Sequence, residues 1–238
     1  MKISAILPVF NERERIEKIL KVMKETEFLD EIIFVDDGSR DGSFEFLKKY
    51  EGEKIKIFRL KRNRGKGFAL SFGIKKASGE ILIFIDSDLI GLKKEHLKVL
   101  ILPLLKERKK CVIAVPIEKN RKLIRPWEIW LSGERAYFKK DILPHLEKIS
   151  KLRYGVELFL DSIFTPEETK IISLDGLLSP SKFEKMEFFE ALKEYLREVK
   201  EIFEDLRKLG INPSFAKILL KSYIKEIEER FFRKKMGV

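Results

Sequence analysis

The sequence predicts an α/β fold: a mostly parallel, doubly wound central sheet with helices on both faces, followed by a helical extension. Three observations predict it. Over residues 1–117 short apolar runs alternate with amphipathic stretches at roughly 20–30-residue intervals, the rhythm of strand–helix–strand units with right-handed crossovers. Two of the runs end in acids, Asp36 with Asp37 and Asp86 with Asp88, and in open sheets ligands gather beyond the carboxyl ends of strands. From residue 183 onward the chain becomes charge-dense with helical periodicity.

The elements follow in order. ISAILPVF (3–10) is an apolar strand, and Asn11 is placed to cap the helix ERERIEKILKVMKE (12–25), its side-chain oxygen accepting an orphaned amide. In that helix Ile16, Ile19, Leu20 and Met23 share one face, the pattern of a core-facing helix. Residues 32–35 form a second strand, Ser39 or Asp41 starts a second helix, and KIKIFRL (54–60) is the third strand. A basic, Gly-containing turn (61–67) leads into a helix through Phe68, Leu70, Phe72 and Ile74, read as core positions. ILIFIDSD (81–88) is the fourth strand with its acidic end, and a helix through Leu97, Leu100 and Leu104 leads to KCVIAVP (110–116). Beyond Pro116 the rhythm breaks. The reading there is one short helix within residues 125–143, a run of helical period after Gly155 in KLRYGVELFLDSIF (151–164), and a last strand and turn at 170–179. Residues 183–235 read as two amphipathic helices broken at Gly210–Pro213.

The 238 residues carry 50 Lys and Arg against 39 Asp and Glu, a formal net charge of +11. That balance favours anionic partners, and with abundant Ile, Leu and Phe it also fits a heat-adapted protein. A single cysteine, Cys111 in CVIAVP, excludes an intramolecular disulfide and a Cys-based zinc cluster and reads as an inert core thiol. No signal-peptide pattern and no membrane-length apolar run occurs, so the expectation is a cytoplasmic chain, with peripheral membrane contact left open. His96 and His145 lie in charged helical segments and read as surface residues.

Asp86 and Asp88 at i and i+2 suit Mg²⁺ or Mn²⁺, hard cations that bridge carboxylates to phosphates. The alternative, a helix cap at Asp88, accounts for one acid and not the pair. Asp36 and Asp37 precede Gly38 and Ser39, where a carboxylate can accept from a base or ribose, or make an Asx turn. Lys61, Arg62, Arg64 and Lys66, interrupted by Gly65 and Gly67, suit a phosphate-wrapping loop or a solvated basic turn. No GKS or GKT follows, which excludes a Walker ATPase. Glu157 sits inside an apolar run, where an unpaired charge is costly.

Together, PVFNE (8–12), VDDGSRDGS (35–43), NRGKGFAL (63–70), ASGEILIFIDSD (77–88) and SGERA (132–136) resemble family 2 nucleotide-sugar glycosyltransferases. GERA and YGVEL also resemble glucosyl-3-phosphoglycerate synthases, and the first half resembles dolichyl-phosphate mannose synthases. The resemblance implies a Rossmann-like glycosyltransferase A-type fold over residues 1–180, with a donor-binding half (1–117), an acceptor half (118–180) and a helical extension (181–238). It implies metal-dependent hexosyl transfer, with Mg²⁺ or Mn²⁺, from a UDP- or GDP-sugar to a phosphoglycerate-like or polyprenyl-phosphate acceptor. It further implies that Pro8 and Glu12 line the donor pocket, Glu12 near the ribose. Asp36 and Asp37 hold base and ribose, Lys66 approaches the phosphates, and Asp86 and Asp88 hold diphosphate and metal, Asp88 foremost. Glu134, Glu157 and Asp161 fall in the acceptor half. The chain departs from the phosphoglycerate-type pattern in IISLDGLLSPSK (171–182), which lacks the histidine that would complete the metal site.

Two other classes compete. A nucleotidyltransferase needs the same metal and sheet, but would place a longer Gly-and-basic signature where PVFNE stands. A non-catalytic basic protein would bind nucleic acid or a membrane surface through its C-terminal helices, with steep salt dependence. The aromatics near the basic turn argue against nucleic acid by their helical spacing. The same C-terminal helices are candidates for a homodimer contact.

Overall fold

In a computed structural model, residues 1–119, 121, 124, 126–185, 187–210, 221 and 224 are described. The chain forms two compact units, Met1–Ser179 and Pro180–Val238. The first is built on seven strands: β1 (Ile3–Val9), β2 (Glu31–Asp36), β3 (Ile55–Arg59), β4 (Ile81–Phe84), β5 (Cys111–Ile117), β6 (Glu134–Phe138) and β7 (Thr169–Asp175). Its helices are α1 (Ile16–Glu25), α2 (Ser43–Lys48), α3 (Lys66–Lys76), α4 (Lys94–Lys106), α5 (Pro126–Leu131), α6 (Lys139–Ile142), α7 (Leu146–Ser150) and α8 (Val156–Asp161). The strand order is β3-β2-β1-β4-β6-β5-β7. All pairings are parallel except those of β6, which runs antiparallel to both β4 and β5.

The central strands read as continuous Ile, Leu, Val and Phe because both faces are covered, as parallel sheets require. On one face Ala5, Leu7, Ile32, Phe34, Ile81, Ile83, Val112 and Ala136 join Ile16, Ile19, Leu20 and Met23 of α1 and Leu97, Leu100 and Leu104 of α4 in one core. α3 packs over β1 and β2. At the edge remote from the strand carboxyl ends, buried Glu31 accepts from Ser4 Oγ at 2.5 Å and from the Ser78 amide at 2.8 Å, and pairs with Lys56. Burial pushes its carboxyl up, but these partners outweigh burial and hold it below its ordinary value.

Several expectations change. Asn11 does not cap α1: it adopts a left-handed backbone (φ 56°), its Oδ1 accepts from the Arg40 amide at 3.0 Å, and the helix begins only at Ile16. Asn tolerates that conformation better than most residues. α2 starts at Ser43, later than Ser39 or Asp41, with Asp41 Oδ1 accepting from the Ser43 amide at 3.0 Å. Phe68 and Phe72 are half-buried; the buried face of α3 is Gly67, Ala69, Leu70, Ser71, Gly73 and Ile74. The Arg64 guanidinium covers the Phe68 ring at 3.8 Å, and Phe72 meets Phe58 at 5.4 Å. His96 is buried, and its Nδ1 accepts from the Lys93 amide at 3.3 Å at the start of α4. Residues 134–138, expected to be irregular or helical, form the antiparallel β6. Cys111 is buried as expected.

In the second unit, α9 (Lys182–Lys185) precedes α10 (Phe188–Lys208). Ala191, Tyr195, Ile202 and Leu206 are buried, the spacing of a single apolar stripe. The second helix expected from Ser214 lies outside the described residues. Among the described residues no helix is long and apolar enough to cross a membrane.

Candidate active site

The carboxyl ends of β1, β2 and β4 carry the acids, and the inserted β6 brings another to the same edge. Because β6 is antiparallel, its first residues lie beside the end of β4, with Phe84 opposite Arg135. A Cβ at Gly133 would stand 2.3 Å from Asp86 Oδ2 and 2.4 Å from Oδ1. Only glycine lets the strand enter this close to the Asp86 carboxylate. Alternation along β6 then sends Glu134 and Arg135 to opposite faces.

Lys66, the first residue of α3, is the hub. Its Nζ lies 2.6 Å from Asp86 Oδ1 and 2.6 Å from Glu157 Oε1. Burial opposes its charge, but the two carboxylates outweigh burial and hold the ammonium well above its ordinary range. Glu157 is pushed up by burial, with Lys66 pulling it back.

Glu134 is 2% exposed, and burial first, then the Asp86 charge, push its carboxyl up to about 8. Ser132 Oγ lies within bonding distance of both the Ala114 carbonyl and, at 2.9 Å, Glu134 Oε2, and its hydroxyl pulls the Glu134 carboxyl back down. Glu134 Oε1 is buried with no hydrogen-bond partner among the described residues.

At the end of β2 the two acids divide. Asp36 is fully buried; its Oδ2 accepts from the Ser39 amide at 3.2 Å with Arg59 Nε at 3.5 Å, while Oδ1 is buried without a hydrogen-bond partner among the described residues. Burial raises its pKa. Asp37 turns to the basic loop, accepting from the Arg64 amide at 2.7 Å and the Gly65 amide at 2.8 Å. Burial nevertheless pushes its carboxyl to about 6. Gly38 (φ 79°) completes the clasp: a Cβ there would meet the Arg62 carbonyl carbon at 2.8 Å. The acid–acid–Gly signature thus splits into one inward carboxylate and one loop fastener.

The remaining expected residues lie as follows. Pro8 is half-buried in β1. Glu12 is buried just beyond it, with Arg15 Nη1 at 3.4 Å and its amide donating to Ser43 Oγ at 3.0 Å. Asp88 follows Asp86 on the turn after β4. The 171–182 segment returns to this turn through paired backbone bonds of 2.9 Å between Ile90 and Leu178. Asp161 is not brought to Lys66; it pairs with the fully buried Arg135. Gly133, Ser132 and Arg135 were missed by sequence reasoning. The one available signal was their adjacency to Glu134 in SGERA.

The Glycosyl transferase family 2 profile matches residues 4–161. The chain belongs to glycosyltransferase family 2. Its sheet with an inserted antiparallel strand is the A-type fold of these enzymes. Among curated relatives, the Bacillus subtilis glycosyltransferase YfnE is 36% identical over 104 residues, covering 41% of this chain and 26% of that protein. Human dolichyl-phosphate beta-glucosyltransferase is 31% identical over 100 residues, covering 37% of this chain and 31% of that protein. This family 2 chain therefore spans about a quarter to a third of those relatives' length. Glucosyl-3-phosphoglycerate synthase from Mycobacterium tuberculosis, solved with Mn²⁺, UDP and glucosyl-3-phosphoglycerate, shares the fold with a TM-score of 0.66 at 23% identity. That match covers 89% of this chain and 81% of the synthase.

Proposed function

We propose that this chain transfers a sugar from a UDP- or GDP-sugar to a phosphorylated acceptor, with Mg²⁺ or Mn²⁺ held by Asp88 and Asp86. The observation that carries the reading is Lys66 set 2.6 Å from both Asp86 and Glu157 at the strand carboxyl ends of a family 2 chain. The donor set fits such a metal. Asp86 and Asp88, where β4 ends, offer oxygen ligands, the type hard cations take. When bound, the metal supplies charge neutralisation for the departing nucleoside diphosphate.

The chain's own groups do the rest. Asp36 at the end of β2 is assigned the base N–H or a ribose hydroxyl, with Pro8 and Glu12 shaping the same end of β1. Lys66 has three N–H donors, so with two given to Asp86 and Glu157 one remains for a phosphate oxygen. Such fixed charge aimed at a leaving group is the largest catalytic effect in many enzymes. Glu134 is assigned to the acceptor side, and Glu157 fixes Lys66. Residues 1–117 would then serve the donor and 118–180 the acceptor. A phosphorylated acceptor fits the dolichyl-phosphate and undecaprenyl-phosphate transferases among the relatives, and the basic loop with Arg64 on Phe68. A cytoplasmic setting fits the single buried thiol.

The test is to incubate the protein with a panel of UDP- and GDP-sugars, with and without Mn²⁺, and measure nucleoside diphosphate release. Release from at least one donor, dependent on Mn²⁺ and raised by 3-phosphoglycerate or a polyprenyl phosphate, is expected. No release from any donor would overturn the proposal.

A further inference from the structure

We infer that the pair of buried Arg135 and half-buried Asp161 is a positioning device that holds Glu157, and through it Lys66, in the geometry used for sugar transfer. Asp161 is the last residue of α8, four residues after Glu157, so both acids lie on one face of the helix. Glu157 reaches forward to Lys66, and Asp161 reaches back to Arg135. Arg135 follows Glu134 on β6, so one strand presents an acid to the crevice and a cation to α8.

The guanidinium is placed to gather several elements. Nε donates to the Ser132 carbonyl at 2.7 Å, Nη1 donates to Asp161 and lies 3.4 Å from the Tyr137 hydroxyl, and Nη2 lies 3.4 Å from the Ile129 carbonyl. It therefore ties α5, β6 and α8 together, with its side chain 1% exposed.

Stability alone does not account for the pair. Burying two charges often contributes little net stability beside an apolar pair of the same volume. A carboxylate at a helix carboxyl end opposes the helix dipole. Asp161 Oδ2 is moreover buried without a hydrogen-bond partner among the described residues, itself a cost. A helix of six residues is too short to hold its own register, so its rotation depends on such anchors. The pair gives α8 one rotation, and that rotation sets where the Glu157 carboxylate stands.

The kinetic arm of the test rests on the proposed sugar transfer; a spectroscopic arm does not. In the first, Asp161→Asn is expected to lower kcat about tenfold in the wild-type background and less than twofold in a Glu157→Gln background. Independent, multiplying losses would overturn the inference. In the second, the ¹H–¹⁵N signal of the Lys66 ammonium, protected from solvent exchange between two carboxylates, is followed in protein with ¹⁵N-labelled lysine. It is expected to be seen in the wild type and broadened away in both Asp161→Asn and Glu157→Gln. An unchanged signal in a folded Asp161→Asn protein would overturn the inference even if no donor were turned over. Should Asp161→Asn fail to fold, Asp161→Glu, which keeps the charge but lengthens the reach, is expected to weaken the same signal.

Discussion

Replacing Lys66 with methionine keeps most of the side-chain volume but leaves Asp86 and Glu157 without the ammonium that lies 2.6 Å from each. Removing one partner of a buried ion pair costs about 3–5 kcal/mol, most of it the penalty of stranding the other charge. Here Glu157 is 7% exposed, while Lys66 and Asp86 keep 23% and 24% of their side-chain surface. Solvent therefore screens part of the loss, and about 2–4 kcal/mol is expected. With a urea m-value of about 3 kcal/mol per molar for a domain of this size, the unfolding midpoint falls by about 1 M. Adding Glu157→Gln removes the stranded charge and is expected to return about 1–2 kcal/mol. Circular dichroism in urea reads the wild type, both single variants and the double variant. A midpoint shift under about 0.2 M for Lys66→Met, or strict additivity in the double variant, would refute the claim that these acids hold Lys66.

Other outcomes follow from the same geometry. Gly133→Ala places a Cβ 2.3–2.5 Å from the Asp86 carboxylate; a stability loss of about 1–3 kcal/mol and weaker Mn²⁺ binding by calorimetry are expected. Asp37→Asn leaves one acceptor oxygen where two loop amides now donate, and exchange of the Arg64 and Gly65 amide hydrogens should quicken about tenfold, an effect of about 1.4 kcal/mol. Burial pushes the Cys111 thiol up to about 11, and only the thiolate reacts. Native protein should therefore resist disulfide reagents at pH 8, with the rate climbing about tenfold per pH unit toward that value. For stability the sign is the reverse: Cys111 is neutral in both states at pH 7 and disfavours folding only as pH rises past the ordinary thiol value.

Much of this was legible in the sequence because the strands are continuous apolar runs and their ends are chemically abrupt. The rhythm of β1 to β5 and the acids after β2 and β4 needed no tertiary information. β6 was not legible. ERAYF carries a charge that points inward and pairs with Asp161 of α8, so its alternation of apolar and polar residues is hidden. The separate fates of Asp36 and Asp37 depend on where the 61–65 loop returns, a long-range fact that no local pattern encodes. Phe68 and Phe72 misled for the converse reason: helical spacing marks a face, but small Gly73 is what lets α3 close on Ile6 and Val35 of the sheet, and Gly67 on Ile149 and Leu152.

The most direct measurement is nucleoside diphosphate release by the wild type and by Asp88→Ala, each with Mn²⁺ and with a chelator. The account predicts turnover only in the wild type with Mn²⁺, and an unchanged thermal melt for the variant. Full Mn²⁺-dependent turnover by Asp88→Ala would contradict it.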